Sequence, residues 1–177
     1  MSVAEERTPV AEYPSTLTFD VLFQTGQPKS NNRTDNIMDR PLPLDMLYRW
    51  ERECPDFVYM SQPIHGEWRH WTWKETGREV RKMAAYLKSL NYEPGSKIAV
   101  ISKNCAHWII SDLAIQMAGY CGVPLYPNLG PDTLRQILQH SESKLLFVGK
   151  LDDWASMRPG VPDGMKCIAF PFYTEPI

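Results

Sequence analysis

The 177-residue chain lacks a run of about 18 apolar residues, the length that crosses a bilayer, so no segment of it is expected to span a membrane. A C-x-x-C pair is missing as well. Cys54, Cys105, Cys121 and Cys167 stand far apart, which excludes a zinc ribbon and a thioredoxin motif. They read as buried free thiols of a reducing compartment. Neither sign of charge dominates: 19 Lys and Arg stand against 21 Asp and Glu, for a net charge of −2. That balance argues against a nucleic-acid-binding surface, which needs a basic patch. Glycine is sparse, and G-x-G-x-x-G, G-x-x-x-x-G-K-[ST] and G-x-S-x-G do not occur. A Rossmann pyrophosphate cradle, a P-loop and a nucleophile elbow are therefore unsupported. Met1–Glu6 is acidic and has no apolar stretch, so a secretory signal is not expected and a cytoplasmic location is. Internal repeats and low-complexity tracts are not visible.

What is present is the composition of a packed domain, 43% hydrophobic and 23% charged. Residues 1–40 stand apart. Gln24–Arg40 is polar with few apolar anchors and reads as a solvated arm, while Thr16–Phe23 could form a strand docked on the body or on a partner. Residues 41–177 read as one α/β unit. Leu44, Leu47 and Tyr48 recur at helical spacing and Pro55 stops that helix. Phe57–Met60 and Trp68–Trp73 suggest a hairpin turning at Gly66. Thr72-Trp73-Lys74-Glu75 is a capping box for a helix with Val80, Met83, Ala84 and Leu87 on its inner face.

Strand and helix then alternate. Strands are expected at Lys97–Ser102, Val123–Tyr126, Lys144–Val148 and Lys166–Phe170. Helices are expected at Cys105–Ala118, from Gly130-Pro131-Asp132 onward, and at Asp152–Met157. Gly119–Gly122 reads as a helix cap and connector. The alternation implies a parallel sheet with flanking helices, preceded by a hairpin and a polar N-terminal arm. Pro124 predicts an edge strand or a bulge.

The chemistry within this frame is thin. Ligands of open α/β sheets bind beyond the carboxyl ends of the strands, here Ser102-Lys103-Asn104, Tyr126-Pro127-Asn128 and Gly149-Lys150. Lys103 and Lys150 could meet an anion there, although solvated loop lysines are the simpler reading. His65, His70, His107 and His140 show no metal-ligand spacing and no nucleophile partner. His140 suits a helix C-terminus as a cation. Trp68, Trp71 and Trp73 alternate as on one strand and read as packing, since no basic groove accompanies them. Catalytic residues and metal ligands are therefore both expected to be absent, and the cofactor-binding residues stay unassigned.

Five blocks in order carry a resemblance. Thr72-Trp73-Lys74-Glu75 resembles a T-[WY]-x-E-L helix entry, and Glu93–Val100 a G-D-x-V-A-I strand. Asn104-Cys105-Ala106-His107-Trp108 resembles N-x-x-E-W, and Ala118–Pro127 resembles A-G-x-x-x-V-P-L-x-P. Ser141–Val148 resembles an S-x-A-K strand. Together they resemble the N-terminal part of the adenylate-forming superfamily, specifically its long-chain fatty acyl-CoA synthetases. Ser96 stands where that family has Asp, and His107 where Glu is frequent. The family's P-K-G loop, Y-G-x-T-E and Y-x-T-G-D segments and C-terminal lysine do not occur, and Tyr173-Thr174-Glu175 matches only by letters.

The resemblance implies a partial adenylate-forming N-terminal domain from a longer fatty acid–CoA ligase. The parent would use ATP, Mg2+ and CoA, none of them expected to bind this fragment tightly. The missing C-terminal part would be its partner, with a fatty acid as substrate. Homo-oligomers and peripheral membrane association of the full protein are open. A stand-alone α/β binding or regulatory module without catalysis is the alternative.

Overall fold

The structure, a computed structural model, describes residues 41–173. The arm read at residues 1–40, its Thr16–Phe23 segment included, lies outside the described residues. Helix α1 (Pro43–Glu53) opens with proline at its first position, where a missing N–H costs nothing. The Asp45 carboxylate accepts the Leu42 N–H at 3.0 Å. Leu47 anchors the helix in the core, while Tyr48 is exposed.

Strands β1 (Val58–Ile64) and β2 (Glu67–Thr72) form an antiparallel hairpin. Its two-residue turn is His65-Gly66, with φ of 52° and 88°. Both are left-handed, as the turn that follows strand twist requires. β1 runs four residues past the Met60 expected from sequence, through Pro63. A two-stranded ribbon has only edges, so a proline there breaks no essential ladder bond.

Thr72 ends β2 and caps α2 (Trp73–Ser89). Its Oγ1 accepts the Glu75 N–H at 3.2 Å, and Glu75 Oε2 accepts the Thr72 N–H at 2.9 Å. Those bonds hold the Glu75 carboxyl below the usual carboxylate range. Trp73 is thus the first helical residue and not the end of the strand, a correction to the alternating-tryptophan reading. Its ring stacks on Tyr59 with centroids 3.7 Å apart.

The main sheet has four parallel strands in the order β4-β3-β5-β6: β3 (Lys97–Ile101), β4 (Cys121–Leu125), β5 (Leu145–Val148) and β6 (Lys166–Ala169). β4 lies at an edge, as Pro124 predicts. It begins earlier than expected, because Cys121 and Gly122 belong to the strand and only Gly119-Tyr120 remain as connector. Helix α3 (Ala106–Met117) closes there with a paired motif. Gly119, at φ 83°, donates to Gln116 O, and Tyr120 donates to Ile115 O.

Alternation along β3 and β5 divides the core. Ile98, Val100, Leu145 and Phe147 face α2 and α3. Ala99, Ile101, Leu146 and Val148 face α4 (Pro131–His140) and α5 (Trp154–Met157). All four residues of β5 are buried, each contributing roughly 2 kcal/mol. The two faces explain why that strand is continuously apolar. The expected helix at Asp152–Met157 is shorter, with Asp153 as its N-cap through Ser156 N–H at 3.0 Å. A short 3-10 turn, Arg158–Gly160, follows it.

Candidate functional site

The chain leaves β3 through α3 toward β4, and leaves β5 through α5 toward β6. The loops after β3 and β5 therefore diverge, which makes the gap between them the switch point where such sheets hold ligands. Lys103 and Lys150 both lie at this place. The structure brings their backbones together: Lys103 N–H donates to Lys150 O at 2.8 Å. Ser102, buried between them, accepts the Lys150 N–H at 2.9 Å and donates to Lys103 O at 2.6 Å. The Lys103 ammonium is paired with Asp152 at 2.6 Å. Gly149 permits this closure, because a Cβ there would overlap Ser102 Oγ and the Phe170 ring. The crevice is filled by the protein itself, and the Lys103 charge already has a carboxylate.

A second cluster forms where the hairpin meets α3. Glu67, Arg69 and Trp71 share one face of β2 by alternation, and Trp71 is fully buried. Cys105, the α3 N-cap residue, supplies no side-chain capping bond to the helix; its thiol lies 3.6 Å from Ser102 Oγ. Gln62 of β1 supplies the cap from a distance: its Oε1 accepts the Ala106 N–H at 2.7 Å. Its Nε2 donates to the Tyr173 hydroxyl. One side chain thereby ties the hairpin, the start of α3 and the segment after β6.

His107, the next residue of α3, sits inside an aromatic cage and is 9% exposed. Its ring centroid lies 5.6 Å from Trp71, 6.1 Å from Phe170, 5.8 Å from Phe172 and 6.0 Å from Tyr173. The Arg69 guanidinium lies 4.9 Å from the Trp71 centroid and 5.0 Å from that of Phe172. His107 Nδ1 is buried with no hydrogen-bond partner. Burial first, and the Arg69 charge second, push the imidazole down to about 4. Burial, with the Cys105 thiol nearby, pushes the Tyr173 phenol up to about 12. Both are therefore neutral at physiological pH. Among the described residues no carboxylate is bonded to either, so the cluster is not an acid–base pair.

From sequence His107 reads as a first-turn helix residue standing where the resembled family frequently has Glu, and Gln62 and Tyr173 carry no signal for this cluster. Gln62 lies 44 residues from Ala106 and 111 from Tyr173, so no local spacing connects them. Of the other histidines, His65 forms the hairpin turn and His140 ends α4. His70 Nδ1 shares a hydrogen bond of 2.7 Å with Ser61 across the strands. A polar cleft of about 650 Å3 lies at the entrance to β6, between Arg135, Trp154, Arg158 and Cys167. The Arg135 guanidinium is engaged there by the Pro159 carbonyl. Among the described residues no group of His, Cys, Asp and Glu could hold a metal ion, and no helix is long and apolar enough to cross a membrane.

Comparison with known proteins gives these features a lineage. The long-chain-fatty-acid–CoA ligase FadD15 of Mycobacterium tuberculosis (strain ATCC 25618 / H37Rv) is 33% identical over 112 residues, covering 63% of this chain and 18% of that protein. Long chain acyl-CoA synthetase 2 of Arabidopsis thaliana is 26% identical over an alignment of 177 positions, covering 94% of this chain and 25% of that protein. The chain thus spans a quarter or less of the length of these relatives. Among solved structures, the fatty acyl-adenylate ligase from L. pneumophila in complex with acyl adenylate and pyrophosphate superposes with a TM-score of 0.61. It is 16% identical, and the match covers 75% of this chain and 24% of that one. CmiS6 superposes with a TM-score of 0.61 at 22% identity, covering 71% of this chain and 29% of that one. At such identities the likeness establishes the fold. The AMP-binding enzyme model matches residues 47–168, from the first helix to the last strand but one residue, and the chain belongs to that family.

Proposed function

We propose that this chain is the N-terminal α/β part of a fatty acid–CoA ligase and serves it as scaffold. In the whole enzyme a fatty acid carboxylate would attack the α-phosphorus of ATP, forming an acyl-adenylate and releasing pyrophosphate. The thiol of CoA would then attack the acyl carbonyl, and AMP would leave. The family match from residue 47 to 168 carries this reading. The names of the two curated relatives support the fatty acyl substrate.

Among the described residues, neither the switch-point crevice nor any side-chain cluster supports a site for ATP or Mg2+. The switch-point crevice is closed by Ser102 and the Lys103–Asp152 pair, and the described residues offer no metal-binding group. Nucleotide, CoA and acyl contacts are accordingly assigned to other parts of the longer enzyme. What this chain contributes is a rigid two-faced sheet. The exposed Trp68 and Tyr126 are consistent with surfaces that another part of the enzyme covers.

The test is a segment exchange. The matching segment of the M. tuberculosis ligase is replaced by the corresponding residues of this chain, and ATP-dependent acyl-CoA formation is followed. Activity in the chimera supports the scaffold role, and a folded chimera with none refutes it. In parallel, the chain alone is expected to give no ATP–pyrophosphate exchange above a buffer control. Exchange there would move the catalytic site into these residues.

A further inference from the structure

The cage around His107 is closed on three sides by elements of the fold and on the fourth by a short turn. α3 carries the ring, β2 supplies Trp71, and β6 leads into Phe170, all of them in the core. The fourth side is Pro171–Tyr173. Phe172 holds φ at 78°, which a bulky residue rarely adopts, and is 44% exposed. Tyr173 is tied down by Gln62. This turn is the part of the cage with the least buried surface and the most strain.

The groups that face the ring offer a proton on Nδ1 no acceptor. β2 presents Arg69, a cation whose partner is Glu79 of α2 at 3.9 Å. The turn presents the Tyr173 phenol, and the Cys105 thiol at the start of α3 lies near that phenol and 3.6 Å from Ser102 Oγ. β1 presents Gln62, which carries no charge and is already bonded at both ends. An imidazolium here would sit among aromatic rings beside a guanidinium, with its Nδ1–H unpaired.

We propose that the Pro171–Tyr173 turn is an acid-released latch, shut on the neutral imidazole of His107 and opened when that ring takes a proton. Opening admits water to the ring, separates Tyr173 from Gln62 and relaxes the Phe172 backbone. Gln62 keeps its bond to Ala106, so α3 stays capped. With the closed ring held at about 4 and a free histidine at 6.5, the latch is shut at neutral pH. The opening equilibrium rises roughly a hundredfold as pH falls across that interval.

The experiment is NMR of the 177-residue chain over that range, following the His107 ring, the Tyr173 ring, the Gln62 side-chain amide and the β5 backbone amides. The expected result is one midpoint, below the ordinary histidine value, shared by His107, Tyr173 and Gln62 while the β5 amides stay native. His107→Phe and His107→Gln keep a cage occupant that takes no proton in this range, and in both Tyr173 stays closed throughout. Three results overturn the proposal. They are a Tyr173 signal that ignores the His107 titration, loss of the β5 amides at the same midpoint, and a Tyr173 transition that persists in either variant that folds.

Discussion

The crevice between β3 and β5 and the cage around His107 both lie just past the ends of strands, yet they treat buried polar atoms in opposite ways. In the crevice, Ser102 Oγ both donates and accepts, and the Lys103 ammonium has its carboxylate. Around His107, the ring nitrogen and the Trp71 indole N–H are both left without partners. A satisfied polar knot is a place that has finished forming its interactions. An unsatisfied one keeps a desolvation cost that a change of protonation can alter. The first region is therefore expected to respond to shape and the second to pH.

The largest expected effect probes the second region. The folded His107 value lies below the unfolded one, so the neutral ring is favoured by folding and the charged ring is disfavoured. Its effect on stability is flat above 6.5, and stability falls as pH drops from there to about 4. Below that both states are protonated and this contribution stops changing. The loss amounts to at most about 3 kcal/mol, and less where the latch opens first. Urea unfolding at stepped pH, compared between the native chain and His107→Phe, measures it. Equal slopes in the two proteins would remove His107 from the argument.

A smaller effect probes the first region by shape. Gly149→Ala places a Cβ against Ser102 and Phe170 and should cost about 2 kcal/mol, read as a lowered urea midpoint at pH 7. An unchanged midpoint would mean that the two loops are not interlocked. The smallest effect separates shape from charge. Asp152 is largely exposed, so Asp152→Asn should cost less than about 0.5 kcal/mol. A loss as large as that of Gly149→Ala would show that the ion pair, and not Ser102, holds the crevice shut.

Local devices were readable from sequence alone because their parts are neighbours. The Thr72–Glu75 box, the Gly130-Pro131 helix start and the edge position of Pro124 each need only a few consecutive residues. β1 was underestimated at Pro63, because a strand with no second neighbour tolerates a residue that a central strand would reject. Trp73 carried two readings, strand alternation and helix start, and the hydrogen bonds of the box decided for the helix. The strand-end loops of Lys103 and Lys150 were readable as neighbours, but the Ser102 bonds that close them and the His107 cage were not. Ser102 acts on a loop 48 residues away, and the His107 cage draws on β2, α3 and the turn after β6. The sheet order brings these together, and nothing in their spacing announces it. The resemblance to adenylate-forming enzymes reached the fold by another route, since it rests on five separate blocks.

The placement of Pro124 gives the sheet a direction of growth. One border strand, β4, carries a residue with no N–H, along with two glycine- and cysteine-bearing positions open to solvent. The opposite border, β6, has no proline between Lys166 and Ala169. A strand arriving from anywhere finds an incomplete docking rail on one border and a continuous one on the other. Among the described residues, β6 is thereby the border better suited to receive a further strand.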